Sequence, residues 1–287
     1  MPVASNVLRT AALWLAVLLP AGARAEGIDT EHLFGFMIGS DVGDSGDREF
    51  QSQSTGRLGK SGTYRSGEQE FEVEFVPAPN FRVELGSSFA AHDIRGVPGL
   101  DDRRQLAWQG VSLDLRYRFL GREAAPFGLT LAVETHADRI DETSAMSGRV
   151  YGTELTLAFD RELVANTVLA ALNVSYQPEW ARLAGAAFTA RESTLGVAMA
   201  VMAQLRPGLL VGGEARYLRR YDGLGLDALE GQALFVGPTA YLKLSERSRL
   251  TAAWSSQVWG RETGSTAAID LVNFERHQAR IIYGVNF

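Results

Sequence analysis

Four histidines occur in the chain, His32, His92, His136 and His277, and two of them stand where acid–base chemistry could be built. His136 lies in ETHAD between Glu134 and Asp138, either of which could orient an imidazole for proton transfer. His92 adjoins Asp93, with Ser87 and Ser88 upstream. A hydrolytic serine is usually exposed on a sharp turn, and no G-x-S-x-G elbow is present. Each histidine therefore reads as a satisfied loop or lumen residue, and no catalytic residue is assigned. The acidic run Asp41, Asp44, Asp47 and Glu49 in SDVGDSGDRE could offer oxygen ligands to calcium. Its spacing is not that of an EF-hand loop, so it reads as a solvated turn. Cysteine is absent, which removes thiolate metal sites and disulfides alike. No metal and no cofactor is expected.

Most other charged residues share a different pattern: they alternate with apolar ones. In EQEFEVEFVPAPNFRVELGSSF, Phe71, Val73 and Phe75 alternate with Glu70, Glu72 and Glu74. PAPN interrupts the run, and Phe81, Val83 and Leu85 then alternate with Arg82 and Glu84. A period of two is the strand period, so this is a hairpin with one apolar and one charged face. Counting outward from PAPN sets Glu74 against Arg82 and Glu72 against Glu84. GVSLDLRYRF places Val111, Leu113, Leu115, Tyr117 and Phe119 opposite Asp114, Arg116 and Arg118. FGLTLAVE, YGTELTLAFD, VLAALNVSYQ and TLGVAMAVM continue the theme, and REFQSQSTGRL is a weaker first strand. LLVGGEARYLRRY, ALFVGPTAYLKL and RLTAAWSSQVWG follow. The chain finishes in HQARIIYGVNF, with Ala279, Ile281, Tyr283, Val285 and Phe287 on one face and Gln278, Arg280, Ile282, Gly284 and Asn286 on the other.

About twelve strands result, joined alternately by short breaks such as PAPN and SERS and by longer stretches such as 137–150. Up-and-down outer-membrane barrels use an even strand number with short periplasmic turns and long outer loops. The expected fold is all-β: a membrane-spanning, up-and-down antiparallel barrel of about 12 strands. Its mean hydropathy of −0.06 is compatible with alternating strands. A formal net charge of −6 gives no reason to expect nucleic-acid binding. Residues 1–25 carry Arg9, an apolar run from Ala11 to Leu19 and small residues at Ala23 and Ala25, the pattern of a cleaved export signal. Residues 26–46 then form a periplasmic lead-in, or a short segment tucked into the barrel mouth, and residues 47–287 form the barrel.

From about Arg48 to Phe287 the chain resembles bacterial outer-membrane β-barrel proteins. The resemblance rests on the export signal together with a last strand ending in an aromatic. It implies that Ile281, Tyr283, Val285 and Phe287 form the signal read by the barrel-assembly machinery. FGFMIGSDVGDSGDREF and TGRLGKSGTYR also look like a set of uncharacterised alphaproteobacterial-type barrels, loosely called transporters. Location is then the outer membrane, with its lipids as partners. Aromatic girdles are expected near the short turns (Phe75, Phe81, Phe119, Phe127, Phe159, Tyr241) and near the long loops (Tyr176, Trp180, Tyr221, Trp259).

The inward faces carry Glu70, Glu72, Glu74, Arg82, Glu84, Asp114, Arg116, Arg118, Glu134, Glu154, Asp160, Glu214, Arg216, Arg220, Lys243 and Arg280. Both signs are present, which suggests a ladder of alternating charge. The function expected is a narrow, weakly selective channel or passive transporter for small hydrophilic solutes. A barrel without a pore that serves as scaffold or binding surface is the alternative. A lipid-modifying enzyme using His92 or His136 is a third reading.

Overall fold

The computed structural model describes residues 27–287; the export signal expected at 1–25 lies outside them. Twelve strands follow one another: β1 (Arg48–Leu58), β2 (Thr63–Ala78), β3 (Phe81–Arg95), β4 (Arg103–Leu120), β5 (Gly128–Ile140) and β6 (Ser147–Val164). The second half comprises β7 (Val168–Leu183), β8 (Ala190–Arg206), β9 (Leu209–Asp222), β10 (Leu229–Lys243), β11 (Ser248–Glu262) and β12 (His277–Asn286). Each strand pairs antiparallel with its sequence neighbours, and β1 pairs with β12 to close the ring. Closure matters because an open sheet edge in lipid would leave a row of backbone N–H and C=O groups without partners. Across the seam Phe50 pairs with Val285 and Gln53 with Ile282. The Phe287 N–H then donates to the Arg48 carbonyl at 3.1 Å.

Alternation sorts the side chains as lipid and lumen require. Phe71, Val73, Leu85, Val111, Tyr117, Leu157, Val197, Met199, Ile281 and Tyr283 are exposed on the outside. Their neighbours Glu70, Glu74, Arg82, Glu84, Asp114 and Thr156 are buried within. A closed barrel with an apolar outer belt and a polar interior is an outer-membrane architecture. Near the short turns, Phe119 and Phe127 are exposed, and Phe127 and Phe159 pack with centroids 6.3 Å apart.

Two girdle assignments change. Tyr241 lies against a lumenal cluster that includes Phe34 and Leu210. It shares its face of β10 with Thr239, which bonds the buried Glu214, so strand parity turns it inward. Tyr221 is only 1% exposed, with the Arg219 guanidinium 5.3 Å from its ring centre, so it does not offer a ring to lipid.

The expected contrast between long loops and short turns is also weaker than the sequence suggests. The β1–β2 connection is only residues 59–62, and the β5–β6 loop shrinks from 137–150 to 141–146. The turn at 121–127 is longer than either. Strand pairing extends past the apolar belt at the loop end, because continuing the ladder satisfies backbone groups that an irregular loop would leave to water. There Tyr64, Ile94, Val97 and Ala145 form a small buried cluster. Only 263–276 remains a long irregular loop.

The first hairpin corrects a register. The turn is Pro79–Asn80, with Asn80 in the left-handed region at φ 64°. Pro77 has no N–H to give to the ladder. Beside it Val76 leaves its strand partner and instead exchanges hydrogen bonds with Asp47 and Gly46. The pairing shifts between Phe75 and Ala78, so Glu74 faces Glu84 and Glu72 faces Gly86. A displacement of two residues keeps every side chain on its face while changing all its partners.

Candidate functional site: a lumen with an internal segment

Of residues 27–47, before β1, those up to 43 run inside the barrel at the end where the short turns lie, and 44–47 form an exposed turn into β1. The segment is held mainly through its backbone. Glu214 accepts from the Gly35 and Phe36 N–H groups at 2.7 and 2.9 Å. Asn173 accepts from Ile38 N–H at 2.8 Å and donates back to the Ile38 carbonyl at 3.0 Å. Asp160 accepts from the Ser40 N–H and hydroxyl, and Glu162 accepts from the Ile28 N–H. A segment without regular structure must find partners for its peptide groups, and inward acids and amides of β6, β7 and β9 supply them. Ile28, Leu33, Phe34 and Met37 add an apolar contact with Leu169, Ala171, Ala200, Met202 and Leu210. The HLFGFMIG stretch thus finds its apolar surroundings inside the barrel.

Phe36 forms the tip. The guanidinium groups of Arg216 and Arg280 lie 4.1 and 5.0 Å from its ring centre, on arms from β9 and β12. Arg280 also donates to the Gly35 carbonyl at 3.2 Å. Stacked cations are drawn to the negative face of an aromatic ring, and the ring shields them from water.

Beyond this tip lies a cavity of about 480 Å³. Twelve carboxylates and five arginines line it. Registers set four of these acids in one continuous rung with Glu74 across β2 to β6: Glu74, Glu84, Asp114, Glu134 and Glu154 are successive cross-strand partners. Like charges directly opposite are unfavourable, so the row needs counterions. Arg82 supplies one set, 3.1 Å from Glu31 and Glu84 and 3.4 Å from Glu74. Arg116 supplies another, 2.6 Å from Asp114 and 3.3 Å from Glu84. The expected ladder of alternating charge is therefore replaced by an acid-rich rung with arginines set against it. Acids outnumber Arg82 and Arg116 in the β2–β6 arc, while Arg216 and Arg280 project from β9 and β12.

The other inward candidates take several places. Glu70, Glu72, Glu134 and Glu154 line the cavity, together with Arg82, Glu84, Asp114, Arg116, Arg216 and Arg280. Glu214 and Asp160 lie beneath it and hold the segment. Arg118 sits lower still, bonded to Asn80 and 3.5 Å from Asp41. Arg220 is at the loop end with Glu192 and Glu230, and Lys243 is exposed beside Glu246. Sequence reasoning gave His32 only as a satisfied loop or lumen residue and Asn173 only as a polar-face residue of its strand, and it passed over Glu31 and Phe36, whose roles arise from docking, and the loop-end acids Glu142, Glu179 and Glu192. Their placement in stretches read as loops hid the last three.

The histidines separate. His136 Nδ1 is 2.7 Å from Asp138 Oδ2 at the cavity wall, whereas His92 Nε2 meets the Glu142 carbonyl at 2.8 Å. Ser87 accepts from the Trp108 indole and does not join His92. The acidic run is divided too: Asp41 binds Thr30 and Arg122, Glu49 binds Arg249, and Asp44 and Asp47 stay exposed in the turn.

A model of the family DUF6662, described as a family of unknown function, matches residues 26–287. The chain belongs to that family. No curated protein matches it. Among solved structures, an outer membrane channel from Pseudomonas putida F1 is similar with a TM-score of 0.58 at 10% identity, covering 86% of this chain and 98% of that one. The translocator domain of the autotransporter NalP from Neisseria meningitidis has a TM-score of 0.49 at 14% identity, covering 86% and 90%. The beta domain of the Bordetella autotransporter BrkA has 0.48 at 14%, covering 85% and 100%. The likeness to the Pseudomonas protein supports the barrel fold assigned to this family member.

Proposed function

We propose that the protein is a narrow outer-membrane channel for small hydrophilic solutes, with residues 27–47 as its closure at the periplasmic end. The observation that carries this reading is the polar cavity of about 480 Å³ standing directly above a docked, chain-internal segment. The segment is held by hydrogen bonds, by ion pairs of Glu31 with Arg82 and of Asp41 with Arg118 and Arg122, and by one apolar cluster, and no covalent link beyond the chain itself fixes it. Twelve lining carboxylates against five arginines favour cations over anions.

Planar-bilayer recording tests this reading. The full chain should pass small, brief currents, and a variant lacking residues 27–42 should pass larger and steadier ones. A complete absence of current from both would overturn the channel and leave the scaffold reading in its place.

A further inference from the structure

Where the internal segment meets β1 and β2, a histidine stands among carboxylates without bonding to any of them. His32 Nε2 lies 3.7 Å from Glu31 Oε2 and 3.6 Å from Glu74 Oε2. It is also 3.6 Å from Glu49 Oε2, which Arg249 already engages. The imidazole side chain is 10% exposed and that of Glu74 only 4%. Neither His32 Nε2 nor Glu74 Oε2 has a hydrogen-bond partner, although Arg82 Nη1 stands 3.4 Å from Glu74 Oε2 as its counterion. Buried polar atoms seldom lack one, because each then loses its hydration without recompense. Here two such atoms point into the same small space, with Glu31 beside them, and all three donor atoms lie within 4.8 Å of one another.

We infer that Glu31, His32 and Glu74 form a site for a divalent transition-metal cation of the zinc class, bridging the internal segment to the barrel wall. This rests on the reading of residues 27–47 as a closure, since the metal would fasten it. Three arguments support the site. The first is spacing. Zinc bonds nitrogen and oxygen at about 2.0–2.2 Å, which in a tetrahedron sets ligand atoms about 3.4 Å apart. The two distances from His32, 3.6 and 3.7 Å, need a contraction of only a few tenths of an ångström, and the two carboxylates lie within 4.8 Å of each other. The second is charge. The connected cluster holds five carboxylates (Glu31, Glu49, Glu74, Glu84, Asp114) against three guanidiniums (Arg82, Arg116, Arg249), an excess of two negative charges. A divalent cation balances that excess. The third is donor chemistry. His32 Nε2 makes no hydrogen bond and faces the Glu31 and Glu74 carboxylates, so one imidazole nitrogen and two carboxylate oxygens are offered together. One imidazole and two carboxylates suit zinc and its neighbours better than calcium, which prefers oxygen alone.

Zinc chloride titrated calorimetrically into chelator-stripped, folded full-length protein in detergent tests the site, with bound metal counted by elemental analysis. One zinc per chain is expected. His32→Ala and the near-isosteric Glu74→Gln should each weaken binding at least tenfold, while His136→Ala should leave it unchanged. Heat-dependent gel mobility identifies folded variants, and Glu74→Gln keeps the test open if His32→Ala fails to fold. Zinc should also slow proteolysis of residues 27–47 in the wild type and not in Glu74→Gln. Uptake below 0.2 zinc per chain, or uptake that neither substitution changes, overturns the site. Binding is read without current, so zinc uptake by a silent barrel would sink the channel and keep the site. A conducting barrel that takes no zinc does the reverse.

Discussion

Glu214 shows how much one inward carboxylate decides. It is buried and accepts three hydrogen bonds, from Gly35, Phe36 and the Thr239 hydroxyl. Hydrogen bonds to a charged group contribute about 1.5–3 kcal/mol each, and their loss strands buried N–H groups. Glu214→Ala should therefore weaken docking of the segment by roughly 3 kcal/mol while leaving the ladder of β9 intact. Limited proteolysis should cut residues 27–47 at least tenfold faster, and bilayer currents should grow towards those of the deletion variant. Unchanged cleavage would show that the segment is held elsewhere. Gly39 makes a second case. A Cβ there would lie 2.0 Å from the Thr30 carbonyl oxygen, a backbone atom that cannot swing aside. Gly39→Ala should undock the segment, with the same proteolytic signature and a normally folded barrel.

Among the elements, β12 has the most demanding task. With ten residues it is the shortest strand, yet it pairs with both β11 and β1. Ile281, Tyr283 and Phe287 are exposed on its outer face, and Val285 is half-buried. Aromatic rings are favoured at the membrane interface, and the Phe287 N–H also ties the seam to Arg48. Removing Phe287 should lower the amount of barrel in the outer membrane several-fold and leave unassembled chain open to periplasmic proteases. Cell fractionation with immunoblotting measures this, and wild-type levels of the truncated chain would remove β12 from its proposed role as the assembly signal. At this same scale the first hairpin shows how a proline moves a register. Both faces of β2 and β3 were legible from alternation, but the partners of Glu72 and Glu74 were not, because Val76 had an alternative partner in Asp47.

For the whole molecule, charge distribution and closure are what an experiment can read. The acid-rich arc from β2 to β6 should make the proposed channel cation-selective, seen as a reversal potential across a potassium chloride gradient. Replacing Glu134 and Glu154 by Gln should move that potential towards zero, and high salt should do the same by screening. Anion selectivity in the wild type would place the governing charge at Arg216 and Arg280 instead. The twelve strands form one continuous ladder, so the unheated protein should migrate faster in gels than the boiled one. Equal mobilities would contradict a closed barrel.

Alternation along the chain was enough to determine the fold class, the strand number and the sorting of nearly every side chain, because a strand's period of two acts locally and lipid demands one apolar face. It read REFQSQSTGRL as β1 to the residue, despite its few apolar positions. Tyr241 shows where local reading fails: an aromatic near a turn suits a membrane girdle, yet its parity on β10 and the apolar segment inside the lumen draw it inward. Partnerships across the ring were beyond the sequence. The rung of five acids depends on four successive registers, each fixed by turn geometry and bulges. The docking of residues 27–47 depends on Asp160, Asn173 and Glu214 all reaching the segment inside a closed ring. Those residues stand far apart in the chain, and only closure of β1 on β12 gives them a common interior.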